Sequence, residues 1–375
     1  MRAEVIPTNP EAPPSHQEPM TKTPLVESGQ TRAWSEQIAL PTYLVGPPET
    51  TPLCYDGRQT QHAQAHFYPY PALDAITSVK QDVTYTALCL ENEYVKIVVL
   101  PEIGGRTFSA TDKTNGYEFI YRQSVIKPSN IGMAGAWISG GIEWCFPHHH
   151  RASTFMTVDH RVVENPDHSA TIWVGEIELR HRMKWLVGVT VRPGSSAVEV
   201  TVRLMNRTPV AQAVLYWANA AVHTNDRYQF IFPPSAKVVA FHCKDAFSHW
   251  PVSHEADFKG VDLRGIDLSW WKNHPAPGSF FIHNLREDFH GGYDHGRHAG
   301  TMHVANHRTA NCAKLFEWGN CPEAEVENSK LTDTDGHYAE LMVGAFSDSQ
   351  IIPGWSLTST ESSAIAGTRY ARSER

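Results

Sequence analysis

The sequence is sparing with cysteine, with charge and with long apolar runs, and each scarcity excludes something. Its six cysteines are Cys54, Cys89, Cys145, Cys243, Cys312 and Cys321, and no two form a Cys-x-x-Cys pair. A disulfide scaffold is excluded, and reduced, partly buried thiols are expected. No stretch nears the ~18 apolar residues of a membrane-spanning helix. Met1 to Met20 lack the basic, apolar and small-residue order of a signal peptide. A cytoplasmic protein without a membrane partner is expected. Charged residues make up only 19%, and 40 Asp+Glu outnumber 32 Lys+Arg. That balance argues against a nucleic-acid partner, whose reader is usually basic. The dinucleotide loop GxGxxG, the phosphate loop GxxxxGK[ST], the GxSxG elbow and HExxH are all absent. No cofactor and no metal are expected. There is no long capped amphipathic helix and no period of 20 to 50 residues.

What is present is a chain of 375 residues, 41% hydrophobic, long enough to bury a full core. Residues 1–33, rich in Pro, Glu, Thr and Ser, read as a flexible arm, 34–360 as one domain, and 361–375 as a loose tail. Short β-branched runs recur between Gly-, Pro- and Asn-rich turns. Tyr94 to Leu100 stops at Pro101, and Val198, Val200, Val202 and Leu204 alternate with polar neighbours. The fold class is mainly β and antiparallel. The Trp-, His- and Asp-rich gap at 242–278 reads as an excursion that carries function or covers a cleft.

Aromatic and titratable residues gather in four blocks. "GAWISGGIEWCFPHHH" holds Trp137, Glu143, Trp144, His148 and His150. Indole faces, a carboxylate and imidazoles suit a sugar, although a tight β turn with a His run on its rim also fits. "LYWANAAVHTNDR" holds Trp217, Asn219, His223 and Asp226, with Trp217 and Asn219 on one strand face. A hairpin end with an Asx turn is its plainer reading. "DFHGGYDHGRHAGTMHVANHR" carries Asp294 and His298 among further histidines. Its spacing matches no tight metal motif, so a hydrogen-bonding wall for a polyol is expected. In "GHYAELMVG" a strand would put Glu340 among apolar neighbours, where burial raises a carboxyl pKa into the useful range for acid–base work. A partly exposed edge carboxylate is the alternative.

Several stretches carry a resemblance. "LENEYVKIVVLPEIGGRTFSA" with "GYEFIY" resembles the opening strands of the galactose-mutarotase-like superfamily. Leu40–Tyr43, Tyr68–Pro71, Leu100–Arg106, Gly140–Pro147, Asn225–Pro233 and Gly292–His307 are similar to stretches of the DUF5107 family. The resemblance implies an antiparallel supersandwich with a carbohydrate substrate. It implies a His acid at the ring oxygen and a Glu base at the anomeric hydroxyl, with Glu340 in the base position. The imidazole is displaced to His223, which opens a hydrolytic reading with two carboxyl groups.

The expectation is therefore a glycoside hydrolase. Glu143 would be its acid and Glu340 its base or nucleophile, with Asp226 or Asp294 as substitutes. Arg106, His148, His150, His223, Asn219, Asp226, Asp294 and His298 would hold sugar hydroxyls, and Trp137, Trp144 and Trp217 would stack. One alternative is an aldose 1-epimerase using His223 and Glu340; another is a non-catalytic carbohydrate-binding protein. The last residues, "IIPGWSLTSTESSAIAGTRYARSER", depart from the relatives' pattern, where helical repeats commonly follow. An open sheet edge there would favour pairing with a second copy of the chain.

Overall fold

The computed structural model describes residues 29–49, 68–147, 149–210, 212, 215–241, 246–283, 285–334 and 336–344, and the backbone of 345–346 and 363–372. His148, most of the expected N-terminal arm, and the His- and Pro-containing stretch up to Phe67 lie outside these residues.

Alternation of apolar and polar residues builds two main antiparallel sheets, beside a two-stranded one of Ser129–Gly132 and Gly135–Trp137. The large one has 12 strands. Its order is Arg32–Val45, Ile76–Glu91, Val95–Leu100, Arg106–Asp112, Ile142–Cys145, Leu215–Thr224, His337–Phe346, Cys312–Glu317, Gly278–Ile282, Val238–Phe241 and Phe247–His249, with Tyr117–Glu118 beside Arg106–Asp112. The second has 8 strands. They run Tyr228–Ile231, Phe289–Asp294, Ala299–Val304, Ser363–Arg372, Val198–Met205, Lys184–Val191, Ala170–Ile177 and Asp159–Glu164. Residues 363–372, expected in a loose tail, are thus an interior strand of that sheet, hydrogen-bonded on both sides.

Between the sheets lies the main core. The large sheet contributes Ile142, Trp144, Tyr216, Ala218, Ala220 and Val343. The second sheet answers with Ile172, Val174, Val187, Val189, Val200 and Val202. Successive side chains on a strand point to opposite faces. The residues between those core positions therefore turn away from the second sheet, and they include Glu143, Cys145, Trp217, Asn219 and Glu340. Asn92 links the two sheets at one end. Its Oδ1 accepts from the Tyr94 and Val95 N–H groups at 2.8 Å each, and its Nδ2 donates to Arg192 O at 2.6 Å and Ser195 O at 2.7 Å.

The excursion before Gly278 does not cover the outward face. Trp250, Phe258, Leu263, Leu268 and Trp271 pack with Val222, Ala339 and Leu341, the neighbours of Glu340 that point toward the second sheet. This segment extends the core instead of forming a lid, because its apolar residues seek the apolar side of the same strands. The helix Pro322–Ser329 begins with Pro at its first turn and carries Glu323 and Glu325 there, as the helix dipole favours. Among the described residues no helix is long and apolar enough to cross a membrane.

Candidate active site

The outward face of the large sheet gathers polar groups where three strands meet. Register pairs Glu143 with Asn219 and Ala221 with Glu340. Directly paired residues share a face, so Glu143, Asn219 and Glu340 project together. The approach to Glu143 depends on two left-handed glycines, Gly140 and Gly141, with φ of +88° and +69°. A Cβ on Gly141 would sit 2.3 Å from Thr107 O. The tight turn lets the Gly140 carbonyl accept from Arg106 Nη1 at 2.6 Å.

Glu143 is the hub. Its Oε2 accepts from Trp137 Nε1 at 3.0 Å and from Asn219 Nδ2 at 3.3 Å, and lies 2.9 Å from His150 Nδ1. Thr154 Oγ1 donates to Oε1 at 2.6 Å, and Arg106 Nη2 stands 4.0 Å from Oε2. The residue is only 1% exposed. Burial pushes its pKa up, yet His150, Arg106 and His149 outweigh that and hold it well below the usual carboxylate value. Glu143 is an ionised anchor.

Glu340 is also buried, and its pKa is displaced the other way. Burial is the largest cause and the negative charge of Glu143 adds to it, while His150, Lys314 and Asn219 oppose. The two carboxyl groups therefore share a face while their pKa values are displaced in opposite directions. Two residues along the paired strand, register sets His223 opposite Tyr338. The His223 ring meets the Tyr121 ring edge-on at 4.5 Å, and Tyr121 stacks on Tyr338 at 5.1 Å. Burial, with help from Arg297 and against Asp294, lowers the His223 pKa to about 4. Its imidazole is uncharged at neutral pH.

Of the residues expected from sequence, the structure brings Arg106, Trp137, Glu143, His150 and Asn219 into one network, with Glu340 beside it. Trp217 is on the same face but buried in an apolar cluster with Cys145, Leu215, Cys312 and Met342, so it offers no open ring. Trp144 belongs to the core between the sheets, because it follows Glu143 directly and must face the other way. Asp294 shapes a turn. Its Oδ1 accepts from the Gly296 and Arg297 N–H groups, and its Oδ2 from Asn225 Nδ2 at 2.8 Å. Asp226 is exposed in the preceding turn. His298, with φ of +52°, is exposed at the hairpin tip beside a cleft lined by Asp112, Tyr117 and Phe119. The His-rich hairpin turns His290 and His303 toward each other inside the protein instead of forming an open wall.

Sequence reasoning missed Thr154, Lys314, Tyr121 and Arg151, whereas strand alternation already sets Tyr338 on the face of Glu340. Arg151 is buried, donates to the Trp144 and Gly104 carbonyls and lies 4.4 Å from the Trp185 ring centre. It fixes the turn that returns Thr154 to Glu143.

A family model described as a domain of unknown function, DUF5107, matches residues 62–368. The chain belongs to this family. Among solved structures, this DUF5107 protein superposes on a TPR-domain containing protein from Parabacteroides distasonis with TM-score 0.76 and 21% identity, over 92% of this chain and 55% of that one. It thus spans about half of that protein's length. It also superposes on a putative aldose 1-epimerase from Klebsiella pneumoniae, with TM-score 0.54 and 11% identity over 91% of each chain. A galactose mutarotase-like protein from Clostridium acetobutylicum gives TM-score 0.51 and 10% identity, over 78% of this chain and 96% of that one. The fold of the DUF5107 protein, mainly β with antiparallel sheets, resembles that of galactose mutarotase-like proteins.

Proposed function

We propose that the protein interconverts the anomers of a sugar, as an aldose 1-epimerase does, with Glu340 and His223 as its proton-transfer pair. One observation carries the reading. The two groups share a sheet face as diagonal neighbours, and burial drives both toward their uncharged forms. Such diagonal positions lie ~7–8 Å apart at the backbone, a span that a pyranose ring can bridge.

In ring opening, the Glu340 carboxylic acid gives its proton to the ring oxygen while the His223 imidazole accepts the anomeric hydroxyl proton. The C1–ring-oxygen bond breaks and an aldehyde forms. Rotation about the C1–C2 bond and closure on the other aldehyde face return both protons. The assignment reverses the roles that family resemblance implies, because here burial moves the carboxyl toward its protonated form and the imidazole toward its neutral, proton-accepting form.

Glycoside hydrolysis fits less well. With Glu143 as its acid it calls for a protonated carboxyl there, and that side chain is held ionised by four hydrogen-bonding neighbours. The experiment is anomer exchange of a monosaccharide panel followed by magnetisation-transfer NMR, alongside a panel of aryl glycosides. Epimerase activity that falls at least ~100-fold in both Glu340→Gln and His223→Gln supports the reading. Aryl-glycoside cleavage that depends on Glu143 would replace it with hydrolysis.

A further inference from the structure

The turn that follows Glu143 gathers a second set of groups. Cys145 closes the strand Ile142–Cys145 and points to the same face as Glu143, since register sets it opposite Trp217. The chain then folds back through Phe146 and Pro147. His150 takes a left-handed backbone, φ +51°, which a non-glycine residue adopts rarely and at some cost. The result is convergence. The His149 and His150 ring centres are 3.7 Å apart, and one nitrogen of each ring and the Cys145 Sγ all lie within 4.8 Å of one another. The spacing is Cys-x-x-x-His-His, which no common metal motif covers.

We propose that Cys145, His149 and His150 form a binding site for a borderline-soft divalent transition metal, with Zn2+ as its first candidate. One thiolate and two imidazoles are the donor set that such ions select, whereas Mg2+ and Ca2+ call for oxygen. The atoms must draw together by about 1 Å to reach tetrahedral ligand spacings, a movement within reach of side-chain rotation. Three protein ligands leave a fourth position, and the face they occupy is the one that holds Glu340. Glu143 supplies the outer carboxylate that metal-binding histidines regularly have, 2.9 Å from His150 Nδ1. Trp137, Thr154 and Asn219 hold that carboxylate in place. The nearby guanidiniums oppose a cation only in part, because Arg151 and Arg106 are turned onto the Trp144, Gly104 and Gly140 carbonyls. Binding exchanges the Cys145 S–H bond for an S–metal bond and releases one proton to solvent per ion. This inference does not depend on the epimerase reading.

The test uses the full chain, stripped with a chelator and titrated with Co2+ and then Zn2+. The expected result is one ion per chain, a thiolate-to-cobalt charge-transfer band, and release of about one proton in weakly buffered solution. Cys145→Ser should remove the band, while Cys89→Ser, at a buried thiol in a different apolar cluster, should keep it. His149→Ala, on the turn, should weaken binding at least tenfold. X-ray absorption of the Zn2+-loaded wild type should show one sulfur and two imidazole nitrogens, and that reading stands even if a variant fails to fold. Absence of stoichiometric binding, or a bound ion with oxygen and nitrogen neighbours only, overturns the site and leaves the cluster as a packing and hydrogen-bonding feature.

Discussion

Glu143 and Glu340 stand on one face of the large sheet, the first with its pKa driven down and the second with its pKa driven up. The contrast follows from their neighbours. Glu143 meets hydrogen-bond donors on both oxygens, whereas burial dominates at Glu340.

Removing the charge should therefore have unequal costs. Glu143→Gln presents an amide to an indole N–H, a hydroxyl, an imidazole and an Asn side chain. It should lose about 3 kcal/mol of stability, the usual range for breaking a buried charge and its partners. Glu340→Gln replaces a group already inclined to be neutral and should lose under ~1 kcal/mol. Urea unfolding followed by tryptophan fluorescence measures both. Equal midpoints for the two variants would contradict the assignment.

Acid should weaken the fold through His290. It is fully buried between Phe232 and His303, and burial lowers its pKa to about 4. The unfolded chain binds this proton below about 6.5 and the folded one only below about 4, so stability rises with pH across that window and is lost as pH falls through it. The size is roughly 3 kcal/mol for this group. His303, lowered by burial and by His290, adds in the same direction. Denaturation midpoints measured from pH 7 to pH 4 should decline, and His290→Phe should flatten the decline.

Gly141→Ala and Gly194→Ala make a matched pair. Both glycines are left-handed, at φ +69° and +70°, but a Cβ at 194 meets nothing within 4 Å. Gly194→Ala should cost only the backbone term of ~1–2 kcal/mol. Gly141→Ala adds the encounter with Thr107 O and should cost clearly more. It should also loosen Arg106 from Gly140, seen as faster amide exchange in the Ile142–Cys145 strand.

The N-terminal hairpin is clasped from outside. Asp333 pairs with Lys80 at 2.7 Å and Lys127 at 2.8 Å and accepts from the Tyr43 hydroxyl at 3.1 Å. Burial is the largest single cause and opposes its ionisation, but the hydrogen bonds from Lys127, Lys80 and Tyr43 together prevail and bring its pKa to about 2. Its contribution is present above the unfolded value near 3.8 and lost as pH falls toward 2. Asp333→Asn should cost at most about 1 kcal/mol, since these groups are partly open to water. The effect should shrink in high salt and appear chiefly as faster amide exchange in residues 76–83.

Strand existence was readable because Val198 to Leu204 and its neighbours repeat with period two, and the strands then bury one face as that period demands. The same rule separates Trp144 from Glu143, yet their adjacency in sequence suggested one pocket. Period two also links Glu340 with Tyr338 from the sequence alone. The hub was legible only in part. Trp137, Glu143 and His150 stand close in the chain, but Asn219 arrives from a strand 76 residues away. Thr154 depends on the Arg151 turn, which has no local signature. Asp294 looked like a ligand because a carboxylate among histidines does, whereas its backbone-capping role needs only the second and third residues after it.

The Ser363–Arg372 strand sits between Val198–Met205 and Ala299–Val304. A chain made from its N-terminus delivers the three strands at one end of that sheet and the four at the other before the strand that joins them. During synthesis two unsatisfied ladders stand open side by side, each able to capture a foreign strand. The nascent protein is therefore most exposed to mispairing just before the Ser363–Arg372 strand leaves the ribosome.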